Sequence, residues 1–395
     1  MVIGAAIYLI TSAPVAIGLV HGVMSQTGNG NLHNGPVAPF TQRLQKALTR
    51  VDGKYYVEIA TTGYTYIPEH PCTANFFPLY PSIVATFATA IPVNTAWAVI
   101  IVSNVSLLLA MTSMHYHFSG RLGKDSSFWI VAVFGLYPPG FFMRMAYSEA
   151  TLALLAIVIL HSVHAKWPLL QQALIVGCAT AVRPVGVCLM VPVILAGGML
   201  RVSSLRELMR NVLLISLMAT GLIIFMVYQW FALGDCLAFA HTQDYYRIRP
   251  HCGTLEWFQK IALLEPIWNL YTGAPPGVWE RYCGNVPFYA CLAWANPLYW
   301  ILALGLISTG AIKSWVSRAE AWYGFAVLLF SYVLRGYEMG MLSQGRYTVV
   351  VLPIYTVMGL LLCKANLFFR FAFVAACAVI SGVYASQFAM GYGLL

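Results

Sequence analysis

The chain has little charge: Asp, Glu, Lys and Arg make up 9% of its 395 residues, while 60% are hydrophobic and the mean hydropathy is +0.74. A soluble domain carries roughly a quarter charged residues, so this scarcity excludes one and leaves an all-α polytopic membrane protein. The nine cysteines form no C-x-x-C pair, which argues against the usual zinc and redox signatures. Cys178, Cys188, Cys363 and Cys377 lie in apolar runs and suit small core residues. Cys72, Cys236, Cys252, Cys283 and Cys291 lie in polar loops, where a pairing is unreadable. A glycine-rich phosphate loop and an Asp-x-Asp nucleotide-sugar pair are both missing, so nothing points to a bound nucleotide. Internal repeats and low-complexity tracts are also missing. Basic residues never run beyond two or three in a row, so the net charge of +9 is no nucleic-acid footprint. The stretch Val2 to Val20 lacks a basic flank and a small-residue cleavage site, and reads as a first membrane helix rather than a signal peptide. The sequon at Asn104 lies inside an apolar run, where no glycan can be added.

What is present is a series of apolar runs of about 16 to 22 residues, each fitted to a hydrocarbon core about 30 Å thick. They cover 2–20, 95–116, 127–143, 146–164, 168–183, 184–200, 212–233, 297–312, 321–335, 347–363 and 370–390, giving about 11 spans. A shorter stretch, 77–92, suits half-insertion or re-entry. The chain is expected to form a single integral membrane domain over 1–395, with large polar loops at 21–76 and 234–296.

Positive charge orients the bundle. Every second short connection is basic: Arg121 and Lys124; Lys166; Arg201, Arg206 and Arg210; Lys313 and Arg318; Lys364 and Arg370. These belong in the cytoplasm. Both large loops, the Arg144–Glu149 turn, Arg183 and the Arg335–Arg346 turn then share the opposite face. His115 and His117 fall near the cytoplasmic end of a helix and are expected to be interfacial, as are His161 and His164.

The first loop has internal pattern. Leu44, Ala47, Leu48 and Val51 recur at helical spacing opposite Gln42, Arg43, Gln45, Lys46 and Arg50, which predicts a short amphipathic helix on the bilayer surface. It should end beside Asp52, with Gly53 permitting a turn. A carboxylate parked at a membrane surface suits a base that deprotonates a hydroxyl beside a lipid-linked substrate. The competing reading is a solvated Asp at a helix end.

The motif Asp52-Gly53-x-Tyr55-Tyr56-x-x-Ile59-Ala60-x-x-Gly63-Tyr64, followed by Phe76-Phe77-Pro78-Leu79-Tyr80-Pro81, resembles the first-loop signature of the PIG-V-type mannosyltransferases. These are GT-C glycosyltransferases related to the second mannosyltransferase of GPI-anchor synthesis. Tyr137-Pro138, Tyr147-Ser148-Glu149, Arg183-Pro184-Val185-Gly186, Gly234-Asp235-Cys236-Leu237-Ala238-Phe239 and Gly345-Arg346-Tyr347 with Pro353 resemble further family elements, in order. Two positions depart from the pattern: Val51 stands where Trp is usual, and Cys236 where Pro is usual.

The resemblance implies a GT-C-type bundle with a helical first extracytoplasmic loop. It also implies a polyprenyl- or dolichyl-phosphate mannose donor, and transfer with inversion to a hydroxyl of a glycolipid or protein acceptor. Asp52 is then the expected catalytic base. Arg183, Arg346 and Arg144 are on the correct side to receive the leaving phosphate. Tyr56, His70, Asn75, Tyr147, Glu149 and Asp235 are the other expected substrate-binding residues. Neither a cofactor nor a divalent metal is demanded by this chemistry. A bacterial plasma membrane is the favoured setting, with the endoplasmic reticulum as the alternative.

Each of these residues also has a plainer role. Glu149 suits a helix N-terminus, Arg183 head-group snorkelling, Arg346 a helix-end anchor, Asp235 a loop hydrogen bond and His70 an ordinary loop position. The aromatics Trp257, Trp268, Trp279, Tyr245 and Tyr246 suit interface packing and sugar stacking equally. A transporter or lipid scramblase is the competing class, but such carriers often show paired broken helices and internal repeats. An acyltransferase would normally show a reactive His or Ser constellation.

Overall fold

The computed structural model describes residues 2–26, 38–68, 70–272 and 291–392; Cys283 and Trp279 lie outside the described residues. Among those residues there is no strand. Helix α1 (Val2–Ser25) is followed by two loop helices, α2 (Phe40–Leu48) and α3 (Asp52–Thr62), and by α4 (Leu79–Ala90). Next come α5 (Thr95–Leu122), α6 (Lys124–Leu136), α7 (Glu149–His164) and α8 (Leu169–Thr180). Then follow α9 (Met190–Ala196), α10 (Leu205–Met218) and α11 (Thr220–Leu233). The second loop holds α12 (Ala238–His241), α13 (Thr254–Ala262) and α14 (Glu265–Thr272). The chain finishes with α15 (Leu292–Ile312), α16 (Arg318–Ser331), α17 (Gln344–Thr348), α18 (Pro353–Lys364) and α19 (Leu367–Met390).

Local chemistry sets many of these boundaries. Asn94 and Asn366 cap α5 and α19 by accepting from the Ala96 and Phe369 amides. Ser317 and Glu320 form a reciprocal capping box at α16. Prolines 138 and 139 cannot continue α6, and the chain bends by 77° into a 3₁₀ turn at Pro138–Arg144.

Every apolar run of the sequence contains a helix, but few form one straight span. By length and composition four helices (α1, α5, α15 and α19) can cross a membrane alone, or up to six spans if each bent pair counts as one. The run 127–143 is α6 plus the 3₁₀ turn, and the run 212–233 is the end of α10 plus α11, meeting at 61°. Helix α4 has 12 residues, about 18 Å, which is short of the hydrocarbon thickness.

The first loop departs from its expected outline. The amphipathic helix stops at Leu48, so Asp52 opens α3 rather than closing α2. Gly53 is helical and buried, and the turn falls on Val51 at φ 57°, ψ −109°. A β-branched residue rarely adopts that conformation, and it persists only where neighbours over-determine it.

Helices α1 and α19 cross at close range. A Cβ on Gly18 would lie 2.0 Å from the Gly382 carbonyl oxygen, and one on Gly22 would lie 2.4 Å from that of Ser386. This is small-residue packing of the kind that holds membrane helices. Two of the four histidines expected to be interfacial lie inside the bundle instead, whereas His161 is half-buried and His164 exposed. His115 and His117 are buried; His115 meets the Ser127 hydroxyl at 2.9 Å, and His117 Nδ1 sits 3.1 Å from His161 Nδ1. Burial follows because α5 packs against α6 and α7 along this end. Of the cysteines expected in the core, Cys188 and Cys377 are buried, whereas Cys178 is exposed.

Three of the five basic connections meet at one end of the bundle. Arg121 forms a bidentate pair with Glu320, Arg370 reaches Asp125 at 3.6 Å, and Lys364 lies 4.2 Å over the Trp315 ring. Helix α16 begins in that cluster, and its far end, Phe330 and Ser331, lines a chamber that also holds Asp52 and Arg346. Gly18→Val is expected to lower stability by about 1–3 kcal/mol through overpacking against the Gly382 carbonyl. Thermal unfolding of the detergent-solubilised protein checks this, and an unchanged Tm would contradict the close crossing.

Candidate active site

The chamber encloses about 740 Å³ and is walled by α3, the Asn75–Phe77 segment, the Val182–Val185 turn, the Phe239–Tyr246 loop and the 330–347 stretch. Its floor is built from the first loop. The strained Val51 turns the chain so that Asp52 starts α3 with its carboxylate at the lining. Gly53 lets the helix settle on the Met145–Tyr147 turn, because a Cβ there would lie 2.9 Å from Ala146 Cβ. A backbone bond from the Ala146 amide to the Leu48 carbonyl, 3.1 Å, pins the same contact. Tyr147 donates to the Arg50 carbonyl at 3.1 Å, fixing the segment just before Asp52.

One turn along α3, Tyr56 is 2% exposed and its hydroxyl meets Ser148 Oγ at 2.7 Å. Its ring packs edge-on to Phe76 and Tyr80, with centroids 5.0 and 4.7 Å away, while Tyr55 stacks on Phe76 at 4.9 Å. The aromatic motif after α3 thus acts as the wall that holds α3 in place.

Behind the floor lies a chain of charges. Arg183 Nη1 is 2.6 Å from Glu149 Oε1, and Arg346 Nε pairs with the same oxygen. Arg346 Nη2 reaches Asp52 Oδ2 at 2.5 Å. The Arg346 guanidinium also lies 4.5 Å over the Tyr147 ring and 5.3 Å over Phe142, adding cation–π attraction. Two guanidinium groups and two carboxylates balance. Exposure grades outward: the Glu149 side chain is 3% exposed, that of Arg346 6% and that of Asp52 19%. Charges this deep hold only when paired.

The expected site residues divide accordingly. Asp52, Tyr56, Asn75, Arg183 and Arg346 line the chamber. Tyr147 and Glu149 sit beneath it as buried braces. His70 is exposed and not part of the lining. Asp235 also lies off the chamber, where it accepts from Tyr66 at 2.9 Å, from the Leu237 amide at 2.9 Å and from His241 at 2.6 Å. Partial burial would raise its carboxyl pKa, but these hydrogen bonds outweigh that and hold it below the usual value. Burial and the same carboxylate push the Tyr66 hydroxyl up to about 12, so it stays a donor. Asp235 therefore ties two outer loops together, as a loop hydrogen bond would.

Arg144 does not reach the chamber. It is 4% exposed within the bundle, where Nε and Nη2 donate to Ser12 and Thr11 at 3.1 and 3.0 Å. The preceding 3₁₀ turn aims it at α1 instead. The wall also contains Lys54, Gln243, Asp244, Tyr245, Tyr246, Arg335 and Glu338, which sequence motifs did not single out as substrate contacts, Tyr245 and Tyr246 aside. Trp268 is half exposed and does not line the chamber.

Fold and site together describe a helical, polytopic membrane protein with an acid–arginine chamber at one end. The chain belongs to the mannosyltransferase (PIG-V) family, whose model matches residues 27–271, more than half of its length. No curated protein matches it. Among solved structures it is similar to ArnT from Cupriavidus metallidurans bound to undecaprenyl phosphate, at 13% identity and TM-score 0.48, covering 93% of this chain and 63% of that one. The chain thus spans less than two thirds of that protein's length. It is also similar to the apo oligosaccharyltransferase of Archaeoglobus fulgidus (12% identity, TM-score 0.47), covering 97% of this chain and 56% of that one. Identities this low leave the chemistry to this chain's own residues.

Glu149→Gln leaves Arg183 and Arg346 with one carboxylate between them. It is expected to cost about 3–5 kcal/mol, measured as a lower Tm in detergent. A Tm within a degree or two of wild type would mean the charge chain is not under that constraint.

Proposed function

We propose that the protein transfers mannose from a polyprenyl- or dolichyl-phosphate donor to an acceptor hydroxyl, with inversion at the anomeric carbon. The observation that carries this reading is the direct contact of Asp52 with Arg346 at the chamber floor. It sets a base and a phosphate-binding cation side by side. Membership in the family supports the sugar and the reaction class.

The step is a single displacement. The acceptor oxygen bonds to the anomeric carbon, the carbon–oxygen bond to the lipid phosphate breaks, and its electron pair leaves on the phosphate. The hydroxyl proton passes to Asp52. Arg183 and Arg346 stabilise charge growing on the phosphate oxygens, for which a forked guanidinium is suited. In the present geometry Arg346 occupies the Asp52 carboxylate, which is therefore engaged by the guanidinium rather than by an acceptor hydroxyl. A donor phosphate competes for the same guanidinium and relaxes that hold, so the base is freed when the leaving group is in place. Tyr56 and Asn75 line the same chamber. The arginines supply the positive charge, and the step is written without a metal or cofactor.

The basic connectors at the opposite end of the bundle support a chamber facing away from the cytoplasm. We place the protein in a bacterial plasma membrane, with a cell-envelope glycolipid or a protein as acceptor.

Asp52→Asn is expected to lower the Tm by less than Glu149→Gln does, because Asp52 is the more exposed carboxylate and Arg346 keeps Glu149, while lowering transfer from radiolabelled polyprenyl-phosphate mannose by about 10² to 10⁴-fold. Wild-type activity is expected to persist in excess EDTA. Full transfer by the Asn variant sinks the role of Asp52, and loss of activity in EDTA, restored by a divalent metal, sinks the metal-free step.

A further inference from the structure

The chamber wall carries five cationic side chains: Arg50, Lys54, Arg183, Arg335 and Arg346. Four of them have evident partners. Arg183 and Arg346 are engaged by Glu149 and Asp52. Arg50 donates to the Phe388 and Gly391 carbonyls, both at 3.1 Å, and Lys54 lies 4.7 Å over the Tyr55 ring.

Arg335 is different. Its side chain makes no hydrogen bond among the described residues, and its Nη1 is buried without a partner. The nearest carboxylate, Glu338, is 3.8 Å away, too far for a hydrogen bond. Glu338 is itself taken by Arg247 at 3.0 Å, and Asp244 is held by the same guanidinium nitrogen at 3.0 Å. A guanidinium whose side chain is only 16% exposed, with a buried donor nitrogen unmet, is unfavourable in a membrane protein unless something completes it.

The backbone accounts for its position. Helix α16 gives way at Ser331 to a π-helical turn, Tyr332–Gly336. Such turns are rare and concentrate at functional sites. Tyr332 anchors this one by donating to the Ile261 carbonyl at 3.0 Å, and Phe330, Ser331 and Leu334 share the lining with Arg335.

We propose that Arg335 is a second anion-binding residue of the chamber, holding a phosphate-type oxygen of a substrate that the Arg183–Arg346 pair does not hold. This rests on the transferase reading for its biological meaning but not for its test. The oxygen belongs either to the lipid phosphate of the donor or to an anionic group on the acceptor. An arginine fork suits both.

The test measures binding of sugarless polyprenyl phosphate and of mannose 6-phosphate to the solubilised full chain. Wild type is compared with Arg335→Gln, Arg335→Lys and Glu338→Gln, with the Tm of each recorded. Weakening of polyprenyl phosphate by about tenfold or more in Arg335→Gln, with partial recovery in the Lys variant, assigns the site to the donor. The same loss for mannose 6-phosphate alone assigns it to the acceptor. Unchanged affinity for both probes overturns the proposal. So does an equal loss in Glu338→Gln, because Arg335 would then act only through the loop it helps to hold. If wild type transfers no sugar yet Arg335→Gln still loses binding, the transferase reading fails while the anion site stands.

Discussion

One carboxylate organises the interior: Glu149, at the start of α7, accepts from guanidinium groups that arrive on two distant segments, Arg183 and Arg346. In a low-dielectric interior neither arginine is tolerable alone, and Glu149 is not tolerable without them. Three parts of the chain are therefore obliged to meet, and Asp52 joins them through Arg346. The chamber floor follows from this charge balance. That balance acts together with the Ala146–Leu48 backbone bond, the Tyr147–Arg50 bond and the Tyr56–Ser148 contact, which also hold the first loop against the start of α7.

Around that balance the packing is aromatic and small-residue. Phe76 and Tyr80 hold Tyr56, Tyr147 and Phe142 face the Arg346 guanidinium, and Gly53 allows contact with Ala146. The strained Val51 turn is the counterpart of this fit, since it sets where α3 begins and so where the Asp52 carboxylate sits. Strain of this kind is held in place by surrounding contacts rather than by local preference. The side of the chamber farther from the floor is built from the second loop and the π-helical turn, and there one buried nitrogen of Arg335 is left without a hydrogen bond.

The charge network also changes what several residues do. Arg183 and Arg346 are structural before they are chemical, because each already holds a carboxylate. Asp235 and His70 belong to the outer loops rather than to the chamber. Arg144 braces α1 through Thr11 and Ser12. Opposite the chamber, the Arg121–Glu320 pair and the neighbouring basic connectors mark the other end of the bundle.

Periodicity and composition by themselves were enough to establish a polytopic helical protein, to locate a helix in every apolar run, and to mark Asp52 beside a polar loop. Hydrophobic length and the cost of burying charge act locally, so these features are legible along the chain. The start of α3, the burial of His115 and His117, the displacement of Arg144 and the isolation of Arg335 were decided only in three dimensions. Each depends on which groups meet across the bundle. A carboxylate's partner hundreds of residues away leaves no local trace: the sequence separation of 294 between Asp52 and Arg346 is bridged only when the helices pack.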